Sequence, residues 1–167
     1  MDHATTVDFG AVARVSRYAE LKDIRLIEIT ARCSATPAAG LLKPDFFSES
    51  SIAQRGEDFL HVDSTYRFVG SEGTAEVLAI SIKYLVVYQM TASAEPLADD
   101  DLLEFAKANG TLHSWPFVRE SLHALTYKMG LPPFLLGVMH FVPQRHAPKN
   151  SDSEGDLAKS EEVAEES

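Results

Sequence analysis

Cysteine is almost missing from this 167-residue chain: Cys33 stands alone, so no disulfide framework can be drawn, as expected in a reducing compartment. Long apolar runs are missing as well. None reaches about 18 residues, the length a membrane-spanning helix needs. Positive charge is scarce, with 15 Lys and Arg against 25 Asp and Glu. Without a basic stripe to neutralise phosphates, nucleic-acid binding is not expected. The opening MDHATTVDFGAVARV carries acids where a signal peptide needs a basic start. A cytoplasmic location is therefore expected.

Catalytic signatures are also missing. There is no Gly-x-Gly-x-x-Gly, no Walker loop and no Gly-x-Ser-x-Gly elbow. The six histidines form no His-x-x-x-His pair and there is no Cys-x-x-Cys, so no metal or other cofactor is expected. His113 and Ser114 are adjacent, and neighbours in sequence point apart on a helix or strand. Cys33 lies on the apolar face of an alternating segment and reads as a small hydrophobe. Asp99, Asp100 and Asp101 read as the charged start of a helix, where carboxylates meet the positive end of the macrodipole. The chain is read as a non-enzyme.

What is present suits a soluble globular domain, with 45% hydrophobic and 24% charged residues. The net charge of −10 is uneven. From Ser151 onward seven Asp and Glu stand against one Lys, which is −6 and leaves −4 for the first 150 residues. The apolar residues thin out after Pro143, so residues 144–167 are read as a disordered acidic tail, and 1–22 as a weak N-terminal helix or arm. The folded domain is assigned to 23–143.

Within that domain alternation dominates. From Ile24 to Ser34 the residues Ile27, Ile29, Ala31 and Cys33 share one face of a half-buried strand. Thr36 to Gly40 breaks it, and 41–52 is a short edge strand, where Pro44 is tolerable. Leu60, Val62, Tyr66 and Phe68 share a face of the strand from Phe59 to Val69, with a turn expected at Gly70 to Gly73. The return strand, Glu76 to Met90, is the most apolar. Leu78 through Met90 in steps of two form one face, and the other has Leu85 and Val87 with no polar side to show water. Such a surface asks for a covering partner. Leu102, Phe105 and Ala106 then give a helical stripe, with Asn109-Gly110 as its expected stop. Strands precede helices, so the class is α+β.

Residues 111–141, TLHSWPFVRESLHALTYKMGLPPFLLGVMHF, contain the strongest pattern. Pro116 suits the first turn of a helix, and Val118, Leu122, Leu125 and Met129 lay one apolar stripe along it. Gly130 and Pro132-Pro133 end it, and 134–141 is an apolar run of strand length. The block reads Leu112-x-x-Trp115-Pro116-Phe117-x-Arg119-Glu120, a helix, then Met129-Gly130-Leu131-Pro132-Pro133 with Leu135 and Leu136 in the closing run. It resembles the SecB family of protein-export chaperones. The likeness is specific here, looser over roughly 20–92, and absent from the tail.

The resemblance implies a four-stranded antiparallel sheet followed by packed helices, assembled as a dimer of dimers, in a bacterial cytoplasm. It implies an ATP-independent holdase that grips unfolded or precursor polypeptides in hydrophobic grooves. Trp115, Phe117, Phe134, Leu136, Tyr84, Tyr88 and Met90 are the expected client contacts, since aromatics and Met offer large, adaptable apolar area. The stripe of Val118, Leu122, Leu125 and Met129 is the expected oligomer interface. Contact with a SecA-type translocation motor would fall on Glu28 and Asp63. The family continues into another helix after the closing strand, whereas this chain runs through Pro143 and Pro148 into its acidic tail, which puts the groove's lid and the motor contact in doubt. Within the family, a chaperone devoted to one antitoxin is the alternative. Outside it, a hotdog-like thioesterase would have to work through His123 and Glu120.

Overall fold

The computed structural model describes residues 4–34, 43–93, 96–132, 134–137 and 139–143. Four long strands form one antiparallel sheet: β2 (Ala19–Cys33), β3 (Lys43–Arg55), β4 (Phe59–Glu72) and β5 (Ala75–Met90), ordered β2-β5-β4-β3. Before them come β1 (Ala4–Val7) and helix α1 (Phe9–Ser16). After them come α2 (Asp99–Phe105), a π-helical turn (Ala106–Gly110), α3 (Thr111–Lys128) and β6 (His140–Pro143). The helices lie on one face of the sheet, giving the expected α+β architecture. The break at Thr36 to Gly40 and the tail lie outside the described residues.

β4 and β5 carry the sheet because their alternation is cleanest. Leu60, Val62, Tyr66 and Phe68 are buried against the helices, as are Leu78, Ile80, Ile82, Tyr84, Val86 and Tyr88. The turn joining them is tighter than expected. Pairing continues to Glu72 opposite Ala75, and only Gly73 and Thr74 turn the chain, with Gly73 at φ +62°, a region open to glycine. Gly70 is inside the ladder, opposite Leu78.

β2 departs further from expectation. It starts at Ala19 rather than Ile24, and its register with β5 slips between Leu21 and Asp23 and again between Leu26 and Glu28. Each slip adds an unpaired residue and reverses the alternation beyond it. Leu21, Ile24, Leu26, Ile29, Ala31 and Cys33 thus face the helices, opposite Tyr88, Val86, Tyr84, Ile82, Ile80 and Leu78. Ile27 falls in the second bulge. The face is not buried as expected: Ile27 is 53% exposed, and Ile29 and Cys33 are also exposed. As an edge strand, β2 has neighbours on one side only.

The helical layer is continuous where a stop was expected. α2 runs through the π turn into α3, and Gly110 holds helical angles (φ −56°, ψ −49°) instead of terminating anything. Gly110 is required by space. A Cβ there would come within 2.7 Å of Val62 Cγ1 and 2.9 Å of Ser64 Oγ. The helix backbone descends onto the sheet at this point, over a seam of buried hydroxyls. Ser50 Oγ lies 2.8 Å from Ser64 Oγ and 2.9 Å from Thr111 Oγ1, and Tyr66 OH lies 2.6 Å from Ser114 Oγ. Ser114 also donates to the Gly110 carbonyl at 2.6 Å.

This seam separates two apolar clusters. One joins Phe46, Tyr66, Phe68 and the first half of β5 to Trp115, Val118 and Leu122. The other joins Leu60, Val62, Val86 and Tyr88 to Val15, Leu102, Phe105 and Ala106. The N-terminal segment contains a helix, α1, whose Val15 belongs to the second cluster. Asp8 caps α1 by accepting from the Gly10 and Ala11 N–H groups, and Arg14 makes a two-point ion pair with Asp101 of α2. Because α3 begins at Thr111, Pro116 sits inside it rather than in its first turn, and leaves the Leu112 carbonyl without its usual donor. Gly130 does end the helix as expected, at φ +73°, with Leu131 N–H closing back on the Thr126 carbonyl. The expected strand over 134–141 is reduced to His140–Pro143, which pairs in parallel with β1. Residues 134–137 carry no regular structure.

Candidate client-binding surface

Tyrosine hydroxyls set the position of α3 over the sheet. Tyr84 OH donates to the Phe117 carbonyl at 3.2 Å and lies 2.9 Å from Ser121 Oγ, while Tyr88 OH is 2.9 Å from His113 Nδ1. Tyr66 holds the next flank through Ser114. These bonds tie α3 to β4 and β5, whereas of Leu21, Ile24, Leu26, Ile29, Ala31 and Cys33 on the helix-facing side of β2 only Ile24 and Ala31 pack against the core. Leu21, Leu26 and Ile29 are consequently 40%, 48% and 39% exposed although they lie on the inner face. Tyr84, the ladder partner of Leu26, lies 6.1 Å between ring centres from Phe117 of α3, which is 43% exposed. The exposed Leu26 and Phe117 on either side of Tyr84 thus mark an apolar surface between β2 and α3, the candidate trough.

Burial divides the expected client contacts. Phe117 and Met90 keep accessible surface; Tyr84, Tyr88, Trp115 and Leu136 are buried, and Phe134 is half-buried. Tyr84 and Tyr88 hold α3, as described. Trp115 packs edge-on to Phe46 at 5.5 Å and donates from Nε1 to the Gly137 carbonyl at 3.2 Å. Burial divides the expected oligomer stripe as well. Val118 and Leu122 are each 1% exposed, and Leu125 and Met129 pack against the same cluster. Val118 and Leu122 thus belong to this chain's own core, whereas Leu125 and Met129 keep part of their surface accessible, beside the exposed Leu112 and Tyr127 of the same helix.

On the outer sheet face, Glu28 is exposed. Asp63 pairs with Lys83 at 2.6 Å, and Asp63 is the main cause that holds the Lys83 ammonium above its ordinary range, with a smaller contribution from Glu28. Burial pushes the His113 imidazole below its ordinary value. Glu120 and His123 are both exposed. Among the described residues no cluster of three or more His, Cys, Asp or Glu could hold a metal ion, and no helix is long and apolar enough to cross a membrane.

The sequence reading missed Leu21, Leu26 and Ile27 as surface residues. Their signal was Leu26-Ile27, two adjacent apolar residues that break strict alternation and mark the bulge.

The SecB-like chaperone Rv1957 of Mycobacterium tuberculosis, solved with a ChAD peptide from the HigA1 antitoxin, superposes with a TM-score of 0.71. The alignment covers 78% of this chain and 97% of that one, at 20% identity. This chain has a SecB-like fold. The SecB-like sheet and helical layer account for the expected α+β class, and at 20% identity the likeness is one of fold. A protein of unknown function from Streptococcus agalactiae aligns at 14% identity over 72% of this chain and 97% of its own, and its TM-score of 0.41 carries no argument. No family model and no curated protein sequence matches the chain.

Proposed function

We propose that this protein is an ATP-independent holdase that binds unfolded polypeptide segments along the trough between β2 and α3. The observation that carries this reading is the inner face of β2. Three large aliphatic side chains stay accessible there, with Leu26 across Tyr84 from Phe117, where a monomer with no client would ordinarily bury them. Burying about 400 Å² of client there would contribute about 10 kcal/mol gross at roughly 25 cal/mol/Å², most of it offset by ordering the client. Several such contacts on linked subunits then hold a chain by avidity. The protein acts as a homo-oligomer, a dimer of dimers, in the cytoplasm. The unpaired outer edge of β2 and the exposed Leu112 and Tyr127 of α3 supply surfaces for pairing.

The SecB-like fold supports two physiological settings. One is protein export, with a SecA-type motor meeting Glu28 and the Asp63–Lys83 pair on the outer face. The other is custody of a single antitoxin, favoured by the antitoxin peptide bound to the Mycobacterium tuberculosis neighbour. Suppression of aggregation of a chemically denatured protein tests the common core of both. Wild type suppresses it at stoichiometric ratio without nucleotide, and Leu26→Asp with Phe117→Ala loses most of that effect while its circular dichroism is unchanged. Equal suppression by the variant would place the client elsewhere. Absence of suppression by wild type would end the holdase reading.

A further inference from the structure

The stretch Phe134–Gly137 is held by this chain in the way a chain binds a foreign extended peptide. It has no helix or strand of its own. Its side chains alternate, with Leu136 5% exposed, Leu135 74% exposed and Phe134 half-buried against Phe68 at 4.4 Å between ring centres. Its backbone is fixed by side chains rather than by a ladder. Phe134 N–H donates to Thr126 Oγ1 at 3.2 Å, and Trp115 Nε1–H donates to the Gly137 carbonyl at 3.2 Å. Two backbone bonds and two apolar seats, one residue apart, recognise any extended segment with an aromatic-x-aliphatic pattern. The specific side chain between the seats does not matter, because it points to solvent.

We infer that this seat, formed by Phe68, Trp115 and Thr126, is a client slot occupied in the resting chain by its own Phe134–Gly137, which an extended aromatic-x-aliphatic segment of a client displaces. The inference rests on the holdase reading and names the pattern selected. A tethered self-segment competes at millimolar effective concentration, so it screens out weak ligands and yields only to segments that also fill the trough. The exchange trades like for like: the same two bonds and similar apolar area are remade, and the core is not left open.

Trp115 is the only tryptophan, so its fluorescence reports the slot. A Trp-free synthetic peptide copying residues 131–139 and bearing a nitroxide at the position of Gly137, next to the copy of Leu136, is titrated into the full chain. The expected result is saturable quenching of Trp115, absent for a peptide whose two anchors are Asp. In Phe134→Ala with Leu136→Ala the tethered competitor is weakened, and the peptide binds about tenfold more tightly. Should that variant lose its fold by circular dichroism, Thr126→Val, which removes one backbone tether, serves instead with a several-fold gain expected. If denatured clients are held but Trp115 is not quenched, or the peptide binds variant and wild type alike, the slot is wrong and the holdase stands. If neither peptide nor denatured client binds, both readings fall.

Discussion

Gly110 shows how a residue can be conspicuous in a sequence for the wrong reason. Asn-Gly after an amphipathic stretch suggests a helix stop, yet here glycine is needed because the helix backbone passes within a methyl group of Val62 and Ser64. The contact spans 46 to 48 residues of sequence and has no local signature. Gly110→Ala should therefore destabilise the protein by about 1–3 kcal/mol, the usual cost of overpacking, where an ordinary helical glycine would gain from alanine. Urea unfolding decides between the two signs. Tyr66 makes a second case. It is buried, and desolvation pushes its phenol up to about 12, opposed in part by its bonds to Ser114, Thr111 and Ser64. Because the folded value is raised, this contribution is complete below the unfolded value near 10 and is lost as pH climbs from about 10 to 12. At 1.36 kcal/mol per unit the loss is about 3 kcal/mol. The stability of Tyr66→Phe should fall less steeply over that range than that of wild type, although it starts lower by the loss of a buried hydrogen bond. Parallel curves would show that Tyr66 does not carry the alkaline loss.

At the scale of elements, legibility followed local periodicity. β4 and β5 were readable because each alternates over more than ten residues, and the Gly130 stop because a left-handed cap has a local requirement. The start of α3 was not readable. Pro116 fits a first turn, but Trp115, Ser114 and Thr111 are buried against the sheet, and this tertiary burial extends the helix past the proline at the loss of one backbone bond. The closing segment was misread for a related reason. An apolar run of strand length has two uses, and Phe134 and Leu136 fill seats in the core while only residues 140–143 pair, with a β1 too short to announce itself. β2 is where the candidate site was lost, because its bulges sit at Lys22 and Ile27 and pattern reading carried the wrong parity through them. The same feature makes a prediction. A long edge with exposed aliphatics is a pairing hazard that charge suppresses. Ile27→Lys, at a bulge position without a ladder partner, should lower the oligomeric state seen by light scattering and leave the urea midpoint of a dilute sample within about 0.5 kcal/mol of wild type. An unchanged mass would move the interface away from this edge.

For the whole molecule, the question is which force would recognise a client. The chain offers two opposed possibilities. Its acidity, −10 overall with −6 after Ser151, would attract basic segments, and its trough would bury apolar ones. The two have different signatures. Attraction between exposed charges is screened over about 10 Å at 0.1 M salt and fades at higher ionic strength, whereas apolar burial gives a negative heat-capacity change and survives salt. The exposed apolar residues Leu21, Leu26, Ile29 and Phe117 favour the second, and Asp63 on the outer face of β4 is already paired with Lys83. Calorimetric titration of a permanently unfolded client at several temperatures should thus give enthalpies that become more favourable on warming, with an affinity that changes less than about threefold between 0.05 and 0.5 M NaCl. Light scattering of the same samples should find a complex built on a mass near four times 18.3 kDa. An affinity that collapses in salt with no heat-capacity change would assign capture to the acidic residues and leave the trough as an oligomer contact. A lone 18.3 kDa particle that still binds would separate client capture from assembly, because the trough of each chain would then suffice by itself.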